Sequence, residues 1–410
     1  MRCFSCLVLM LFLAGPASAA LLVPEASNKD LDVTGVATRA IDTFAMDIYR
    51  QLAKEDGNIF FSPYSISSAL TMVYAGAKGD TALDMASVLR FENGEALHSS
   101  MKALMAQLNS KSGEETGELA VANRLWLDAE ETLLPTYMAL ISENYDGGIE
   151  QVDFLKNAER ARVTINEWVE KKTRDKIRDL LHEGDVHADT RLVLTNAIYF
   201  KSAWSAAFEE SFTKEESFRV SAKEQKNVSL MQKVGLFAYK EYPDLQLLKI
   251  PYKMSGLSML ILLPRENESF TQLQELEKKL DASRFESWTS EMAIQRVSLR
   301  LPKFRTEARY ALKDVLKNLG MILPFSPYAD FSAMTEKSVL CVDSVIHQSF
   351  IDVDEKGTEA AAATAVTMMK MSVAVQEKEP IEFRADRPFI YCILDDSTGT
   401  VLFMGRLTHP

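Results

Sequence analysis

The sequence contains few cysteines and histidines, two residue types on which many small secreted folds and many enzymes depend. Two of its four cysteines, Cys3 and Cys6, lie at the extreme N-terminus, so no disulfide framework holds the rest of the chain together. Cys341 and Cys392 remain, each within an apolar, strand-like run. A disulfide between them is one interpretation, and two buried free thiols are the preferred one. In either case the fold depends on a hydrophobic core.

Motifs that mark the common enzyme classes are also missing. The sequence has no Gly-x-Ser-x-Gly elbow, phosphate-binding loop or dinucleotide fingerprint. His182 and His187 do not have the four-residue spacing of a zinc-binding helix, and their segment is predicted to be an exposed loop. His347 is the only histidine in a strongly structured stretch. The sequence therefore predicts no catalytic site, metal or cofactor.

The chain also lacks internal divisions and blocks of like charge. No linker rich in proline, glycine or serine, no repeat and no low-complexity tract interrupts its 410 residues, so one large globular domain is preferred to two or three. The 46 basic and 58 acidic residues give a net charge of −12 and are spread along the chain. This distribution argues against nucleic acid or an anionic membrane as the main partner.

The N-terminal apolar run, Cys6 to Ala14, is too short to span a bilayer. It follows the basic residue Arg2 and precedes the small residues Ala17-Ser18-Ala19. This order of charge, apolar core and small residues predicts a signal peptide over residues 1–19. We therefore expect a secreted protein, extracellular or, if the source is bacterial, periplasmic.

Two sequons permit N-glycosylation if the host provides the enzymes. They begin at Asn227 and at Asn267. Asn267 lies in a polar, turn-like stretch and is the preferred acceptor.

Apolar spacing places the main elements. An amphipathic helix is predicted from about Ala37 to Lys54, followed by a short buried strand at Ile59–Phe61 and a helix that Ser62 caps with Pro63 in its first turn. Further helices are predicted around 97–109, 165–169 and 312–319, the last ended by Gly320. Further strands are predicted at 118–127, 192–200, 245–263, 297–303 and 339–353, with a closing hairpin at 389–404.

The stretch after Val353 has very little side-chain bulk. Gly357 ends the strand-like run, and seven of the eight residues from Thr358 to Ala365 are Ala or Thr. Read with a period of two, one face carries only small or apolar residues, whereas Glu359 falls on the other face. Such a loop can enter a β-sheet without burying a charge. A flexible linker explains the composition equally well.

Several motifs resemble segments of one protein family. Residues 355–364, Glu-Lys-Gly-Thr-Glu-Ala-Ala-Ala-Ala-Thr, resemble the reactive-loop hinge of an inhibitory serpin. Matching segments occur in the expected order at Asn58–Ile66, Leu194–Lys201, Pro388-Phe389 and Phe403–Arg406. Since the resemblance runs from about Ala37 to the C-terminus, the chain is identified as a member of the serpins, the serine protease inhibitors.

This resemblance implies an α+β fold with three β-sheets, eight to nine α-helices and an exposed reactive loop. The serpin domain is expected to span residues 37–410, after an N-terminal extension over 20–36, with the reactive loop at about 356–376. The hinge that the resemblance implies comprises Glu355, Gly357, Thr358, Glu359, Ala360, Ala361, Ala362, Ala363 and Thr364.

The family also implies a mechanism. A target serine protease attacks a carbonyl of the loop and forms an acyl-enzyme, and the loop then inserts into the main sheet and traps the protease. The expected partner is therefore a serine protease in a covalent complex with a monomer of this chain. A non-inhibitory serpin, acting as a carrier or chaperone, is the alternative. A charged or bulky residue at Thr358 or Ala360 would indicate that alternative, and neither position has one.

The reactive bond follows from the family's loop length. In serpins of standard length, the glycine matching Gly357 is the fifteenth residue before the bond that is cut, which places the cut between Met371 and Ser372. Methionine suits an elastase-, chymotrypsin- or subtilisin-like pocket. Lys370, one residue earlier, would suit a trypsin-like pocket and remains the alternative.

The resemblance assigns roles to residues outside the loop. Ser62, Ser65, Asn196 and His347 are expected to form a polar cluster that controls opening of the main sheet. Trp204, Lys303 and Glu355 are expected at the top of that sheet, with the last two as an ion pair. Ser202 stands where the family usually has glycine.

Some serpins carry a cluster of cations for heparin on the helix that matches residues 97–109. Here the matching segment has only Lys102, with Lys111 just beyond it. The acidic residues Glu95, Glu114 and Glu115 lie close by in sequence. The sequence therefore does not predict a heparin site.

Overall fold

The computed structural model describes residues 30–91, 94–113, 116–145, 148–267, 270–335, 340–358 and 379–410. The predicted reactive bond Met371–Ser372, the alternative Lys370 and the hinge residues from Glu359 to Thr364 lie outside the described residues, as does the predicted signal peptide. The start of the hinge, through Thr358, is described.

The described residues form helices and strands in a mixed order. The α-helices are α1 (Asp30–Leu52), α2 (Pro63–Tyr74), α3 (Gly79–Leu89), α4 (Gly94–Lys111), α5 (Pro135–Asn144), α6 (Phe154–Lys172), α7 (Gln272–Lys279), α8 (Ala282–Ser290) and α9 (Lys313–Leu319). The strands are β1 (Ile59–Phe61), β2 (Glu118–Asp128), β3 (Ile149–Val152), β4 (Leu192–Ala203), β5 (Lys214–Arg219), β6 (Gln225–Glu241), β7 (Leu245–Pro251), β8 (Leu257–Pro264), β9 (Ala293–Pro302), β10 (Phe304–Ala311), β11 (Ser344–Val353), β12 (Gly357–Thr358), β13 (Ile381–Arg384), β14 (Phe389–Asp395) and β15 (Val401–Leu407).

The main sheet has six strands in the order β10-β11-β12-β4-β2-β3. Helix α2 lies under one face, and its residues from Pro63 to Val73 are all buried. Helix α6 covers the other face, where Ile165 and Val169 share an apolar cluster with Trp126, Ile346 and others. Because both faces are covered, β4 is buried along almost all of its length and reads as a nearly continuous apolar run.

The remaining strands form two sheets that share β6. The C-terminal part of β6, from Ala238, pairs with β7, and β8, β14, β15 and β1 follow in order. Its residues from Leu230 to Tyr239 pair with β9, which also pairs with β13. Strand β5 pairs with the beginning of β6. The second and third sheets of the expected fold are thus one hydrogen-bonded set, because a single long strand runs through both.

Some boundaries differ from the sequence prediction. Helix α1 begins at Asp30 rather than near Ala37, because apolar spacing marks the buried face of a helix and not its first residue. Strand β11 begins at Ser344 rather than Val339. The carboxylate of Asp343 accepts hydrogen bonds from the backbone N–H groups of Arg191 and Leu192. Asp343 therefore anchors the start of β4 and is not part of β11.

Cys341 and Cys392 are free thiols, and Cys392 is fully buried. Among the described residues, no helix is both long enough and apolar enough to cross a membrane. In the same part of the chain, no group of histidine, cysteine and acidic side chains is arranged to hold a metal ion.

Candidate functional site at the seam of the main sheet

Strands β4 and β11 are parallel neighbours over most of their length. The pairing joins Val193–Tyr199 of β4 to Ser344–Phe350 of β11, and we call this paired segment the seam. Beyond Tyr199 and Phe350 the two strands separate, and β12 lies between them. The two strands are therefore hydrogen-bonded along the seam and separated at its one end, which we call the open end.

Strand β12 is the described start of the predicted hinge. It is antiparallel to both neighbours: Thr358 pairs with Ser202 of β4 and with Val353 of β11. A Cβ atom on Gly357 would lie 2.3 Å from the carbonyl oxygen of Ser202, so only glycine fits at this close approach. Thr358 is fully buried, and its hydroxyl lies 2.7 Å from that of Tyr252. The hinge thus enters the sheet with a small, hydrogen-bonded side chain.

Trp204 holds the segment just before β12. Its indole Nε1–H donates to the carbonyl oxygen of Asp354 at 2.9 Å, and its ring stacks on Tyr252 with a centroid separation of 4.6 Å. Its backbone N–H donates to the carbonyl oxygen of Lys356 at 2.9 Å. The tryptophan that the resemblance places at the top of the main sheet therefore fixes the chain where the hinge begins.

Glu355 makes the ion pair that the resemblance implies. Its Oε2 lies 2.8 Å from Nζ of Lys303, and its Oε1 accepts from the hydroxyl of Thr213 at 2.7 Å. Burial opposes ionisation of Glu355, but the hydrogen bonds from Lys303 and Thr213 outweigh it and hold the pKa of the carboxyl below its usual value. The side chain of Glu355 is 8% exposed and that of Lys303 is 41% exposed. The pair is therefore half open to solvent.

A polar cluster crosses the seam. Asn196 of β4 and His347 of β11 are paired in register, and the ring Nδ1 of His347 is hydrogen-bonded to Oδ1 of Asn196. Nδ2 of Asn196 donates to Oγ of Ser65 at 2.6 Å, and the backbone N–H of Ser62 donates to Nε2 of His347 at 3.1 Å. The four predicted residues thus form one connected network between helix α2 and the two strands of the seam.

The hydrogen bonds decide the tautomer of His347. Its Nε2 accepts a hydrogen bond from the backbone N–H of Ser62, so the ring proton must lie on Nδ1, which donates a hydrogen bond to Oδ1 of Asn196. Since the donor is on β11 and the acceptor is on β4, the strands cannot part without breaking this bond. The network therefore couples opening of the seam to the loss of buried hydrogen bonds.

Asn123 of β2 also belongs to this cluster, and it was not predicted from the sequence. It is paired in register with Asn196, its Oδ1 accepts from Nδ2 of Asn196 and from Oγ of Ser65, and its Nδ2 donates to the backbone carbonyl of Ser65. The sequence does contain a signal for Asn123, because this polar residue interrupts an apolar strand just as Asn196 does.

The chain is similar to known proteins over most of its length. A family model described as Serpin (serine protease inhibitor) matches residues 39–410. The chain belongs to the serpin family. An uncharacterized serpin-like protein of Thermococcus kodakarensis is 42% identical over 372 residues, which cover 90% of this chain and 85% of that protein. The leukocyte elastase inhibitor of Xenopus laevis is 39% identical over 374 residues, covering 90% and 97%. The crystal structure of maspin superposes with a TM-score of 0.85 at 30% identity and covers 93% of this chain and all of that one.

In this serpin, Ser202 replaces the usual glycine without strain. Its hydroxyl donates to the carbonyl oxygen of Thr116 at 2.9 Å and accepts from the backbone N–H of Met254 at 3.1 Å. The serine side chain therefore joins three segments at the top of β4.

The two lysines considered for heparin are engaged in this serpin. Lys111 Nζ lies 2.8 Å from Oδ2 of the buried Asp395, and Lys102 Nζ lies 3.8 Å from Oε1 of Glu143. Both pairs reduce the positive charge that helix α4 presents, and the absence of a heparin site stays a prediction.

The two sequons differ in exposure. Asn227 is exposed on β6. The side chain of Asn267 is half-buried, and its Oδ1 accepts from the backbone N–H of Thr271, the residue that precedes helix α7. Nδ2 of Asn267, the atom to which a glycan attaches, donates to Oγ1 of Thr271 at 3.2 Å. A glycan on Asn267 would compete with this second hydrogen bond, so the structure favours Asn227, the less preferred of the two in sequence.

Lys303→Met is expected to lower the free energy of unfolding by about 1 kcal/mol at pH 7, because it leaves Glu355 with Thr213 alone. Since the pKa of Glu355 is lowered in the folded state, the loss should shrink as the pH falls below 4.5, the ordinary value of the unfolded chain, and through the lower pKa of the folded state. Urea denaturation of the wild type and of Lys303→Met at several pH values measures this loss of stability. Lys356→Met is the control, because its ion pair with Glu210 is exposed and spans 3.7 Å. Equal losses in the two variants would contradict the role given to Lys303.

Burial lowers the pKa of His347 to about 3, so this histidine is neutral in the folded state at physiological pH. The unfolded chain takes up a proton near pH 6.5, and stability is therefore lost as the pH falls below that value, by about 1.4 kcal/mol per unit. We expect wild type to lose about 2 kcal/mol more than His347→Gln between pH 6.5 and pH 5 in urea titrations.

The difference between these two proteins is the quantity to measure. Burial raises the pKa of Asp42 to about 7, and protonation of Asp42 on acidification stabilises the folded state, which partly masks the effect of His347. Glutamine can accept from Ser62 and donate to Asn196, so the variant retains the hydrogen bonds. Parallel pH profiles for the two proteins would show that His347 is not the acid-sensitive group.

Proposed function

We propose that this serpin inhibits a serine protease by acting as its suicide substrate and has no catalytic site of its own. The observation that carries the proposal is the position of β12, which already lies between β4 and β11 at the open end of the seam. Thr358 thus already lies within the sheet, and the residues that follow it in sequence are small enough to enter the seam.

The register of β12 supports this insertion path. Continued antiparallel pairing moves one residue forward on the loop for each residue back on β4 and β11. Thr364 lies six positions after Thr358, and it would therefore lie between Asn196, six before Ser202, and His347, six before Val353. These two residues are themselves paired across the closed seam. A threonine hydroxyl at this position can replace the hydrogen bond that insertion breaks.

The same register sets the length of the inserted strand. Met368, ten positions after Thr358, would lie opposite Leu192, the first residue of β4 and ten positions before Ser202. Thr358, Ala360, Ala362, Thr364, Val366 and Met368 would then face helix α2, and Glu359 would face the opposite side. Thr358 is already paired on both sides, so the ten residues from Glu359 to Met368 would gain ladder hydrogen bonds, and this gain drives the trapping step from a kinetically stable native state.

The covalent step is ordinary acyl transfer. The serine oxygen of the protease attacks the carbonyl carbon of Met371, the bond to the nitrogen of Ser372 breaks, and the new amine leaves with a proton. The ester that joins Met371 to the protease persists if insertion moves it away from the attacking water. The chain therefore needs only an accessible loop and a seam that opens quickly.

The proposed target has an apolar primary pocket of the elastase, chymotrypsin or subtilisin type, because Met371 is long and apolar. The leukocyte elastase inhibitors among the relatives support this choice. A trypsin-like target acting through Lys370 is the alternative. We also propose that the protein is secreted as a monomer after removal of residues 1–19.

A protease panel tests the proposal. The purified protein is mixed with elastase, chymotrypsin, subtilisin and trypsin, and the products are separated on denaturing gels. We expect a covalent band at the combined mass with at least one of the first three. A carrier or chaperone would be cleaved in the loop, or left intact, without such a band from any of the four.

A further inference from the structure

The segment that follows β4, residues 204–208, binds the start of the hinge, and we call it the cradle. The backbone N–H groups of Trp204 and Phe208 and the indole N–H of Trp204 donate to the three successive carbonyl groups of residues 354–356, at 2.8–2.9 Å. These carbonyls belong to the turn that leads into β12. The cradle therefore determines where β12 enters the sheet.

The middle of the cradle is not held by packing, because the side chains of Ala206 and Ala207 are exposed. Lys233 of β6 holds it instead. Its Nζ donates to the carbonyl oxygen of Ala206 at 2.5 Å and to that of Ala207 at 3.0 Å. The same Nζ lies 5.8 Å from the centre of the Phe208 ring. One side chain thus ties the cradle to the neighbouring sheet.

The charge of Lys233 serves this contact alone. The side chain is half-buried, and it makes no ion pair with any residue that the structure describes. Burial lowers the pKa of Lys233 from its usual value, because the ammonium group has lost part of its hydration. A surface lysine normally keeps its charged end in water. Lys233 instead points its charged end at two backbone carbonyls.

Lys233 also lies in a row that leads to the other end of the reactive loop. It pairs with Leu299 of β9, and Leu299 pairs with Phe383 of β13, the strand that follows the loop in sequence. The side chain of Lys233 reaches the cradle, which binds the chain before the loop. Both ends of the loop are therefore held by one sheet.

Insertion depends on the cradle because it extends from β12. Further pairing of the loop requires that Thr358 stay in register with Ser202 and Val353. If the cradle is loose, β12 is formed for only part of the time, and the rate of insertion falls in proportion to that fraction. Hydrolysis of the ester does not depend on the cradle. The balance between trapping and release is therefore set in part by how firmly the cradle is held.

We propose that Lys233 is a positioning residue for the trapping step: it holds the cradle and thereby keeps β12 between β4 and β11. This inference rests on the proposed function. Lys233 acts through the hinge, and it takes no part in the attack of the protease on Met371.

The test compares the two products of the reaction. Lys233→Met removes the ammonium group and keeps an unbranched apolar side chain. The variant is mixed with a protease that the wild type traps, and the covalent complex and the cleaved chain are measured over time on denaturing gels. We expect the ratio of cleaved chain to complex to rise about 3- to 10-fold, because hydrogen bonds from a charged donor are lost. The combined rate at which the two products form should not change.

Lys240→Met is the matched control, because Lys240 lies on the same strand and its ammonium group pairs with Glu291 at 2.6 Å. Lys233→Arg should restore the wild-type ratio, since a guanidinium can donate to both carbonyl oxygens. Lys233→Gln keeps one donor group and should give an intermediate ratio. Thermal melts check folding, and Lys233→Gln replaces Lys233→Met if that variant does not fold.

Two results would overturn the inference. One is the same product ratio for Lys233→Met and Lys240→Met. The other is a slower combined rate with an unchanged ratio, because Lys233 would then affect the attack of the protease and not insertion. Failure of the proposed function is seen separately, because the wild type itself would then form no complex with any protease of the panel.

Discussion

Thr358→Arg is expected to convert the inhibitor into a substrate that is cleaved but forms little covalent complex. Thr358 is fully buried between β4 and β11, and its hydroxyl meets that of Tyr252. Burying a guanidinium at this position costs several kcal/mol, so the variant is expected to hold the hinge out of the sheet, and insertion then has to bury the charge. Insertion slows while hydrolysis of the ester does not. The yield of covalent complex should fall by about tenfold or more.

The matched control is Glu359→Arg, which adds the same side chain one residue later. In the insertion register this position faces away from helix α2, where the wild-type chain already carries a charge. Complex formation should therefore survive in this variant. Densitometry of denaturing gels, run at equal molar ratios of inhibitor and protease, measures the yield of covalent complex for both variants. An unchanged complex yield in Thr358→Arg would exclude insertion along the seam.

Oxidation of the loop methionines is expected to lower inhibition of an elastase-like enzyme sharply. If Met371 fills the primary pocket, the sulfoxide makes that side chain polar and bulkier where an apolar one was selected. Losing most of its burial costs about 2–3 kcal/mol, or roughly 30- to 150-fold in association rate. The measurement is the rate before and after mild peroxide.

Met371→Leu is the control for this experiment, because leucine fills the same kind of pocket and does not oxidise. Its inhibition should survive peroxide even though Met368 and Met369 remain in the loop. If Lys370 is the reactive residue, peroxide should change little, and Lys370→Ala should abolish inhibition of a trypsin-like enzyme. That pattern would move the reactive bond by one residue.

The sequence predicts those parts of this fold that have a local physical cause. The apolar run of β4, the serine cap of α2 and the glycine after α9 are all found where expected, because each has a local physical cause: burial on two faces, an unpaired backbone N–H, and a left-handed residue. The number of sheets came from the resemblance to serpins. The continuous β6 was not predicted, since one strand that serves two sheets has no periodic signature.

The candidate site was predicted in part. The contact between Lys303 and Glu355 and the network of Asn196 with His347 match the residues that the resemblance implies. The two-residue strand β12 could not be foreseen, because two residues carry no periodicity and their pairing depends on how far β4 and β11 separate.

The intact mass of the product formed with an inhibited protease tests the trapping mechanism most directly. The proposed mechanism predicts one species whose mass equals that of the protease plus this chain, less a released peptide that begins at Ser372 and ends at Pro410. A released peptide that begins at Met371 would place the cut after Lys370 instead. Recovery of active protease and cleaved chain as two separate species, with every protease tested, would contradict trapping altogether.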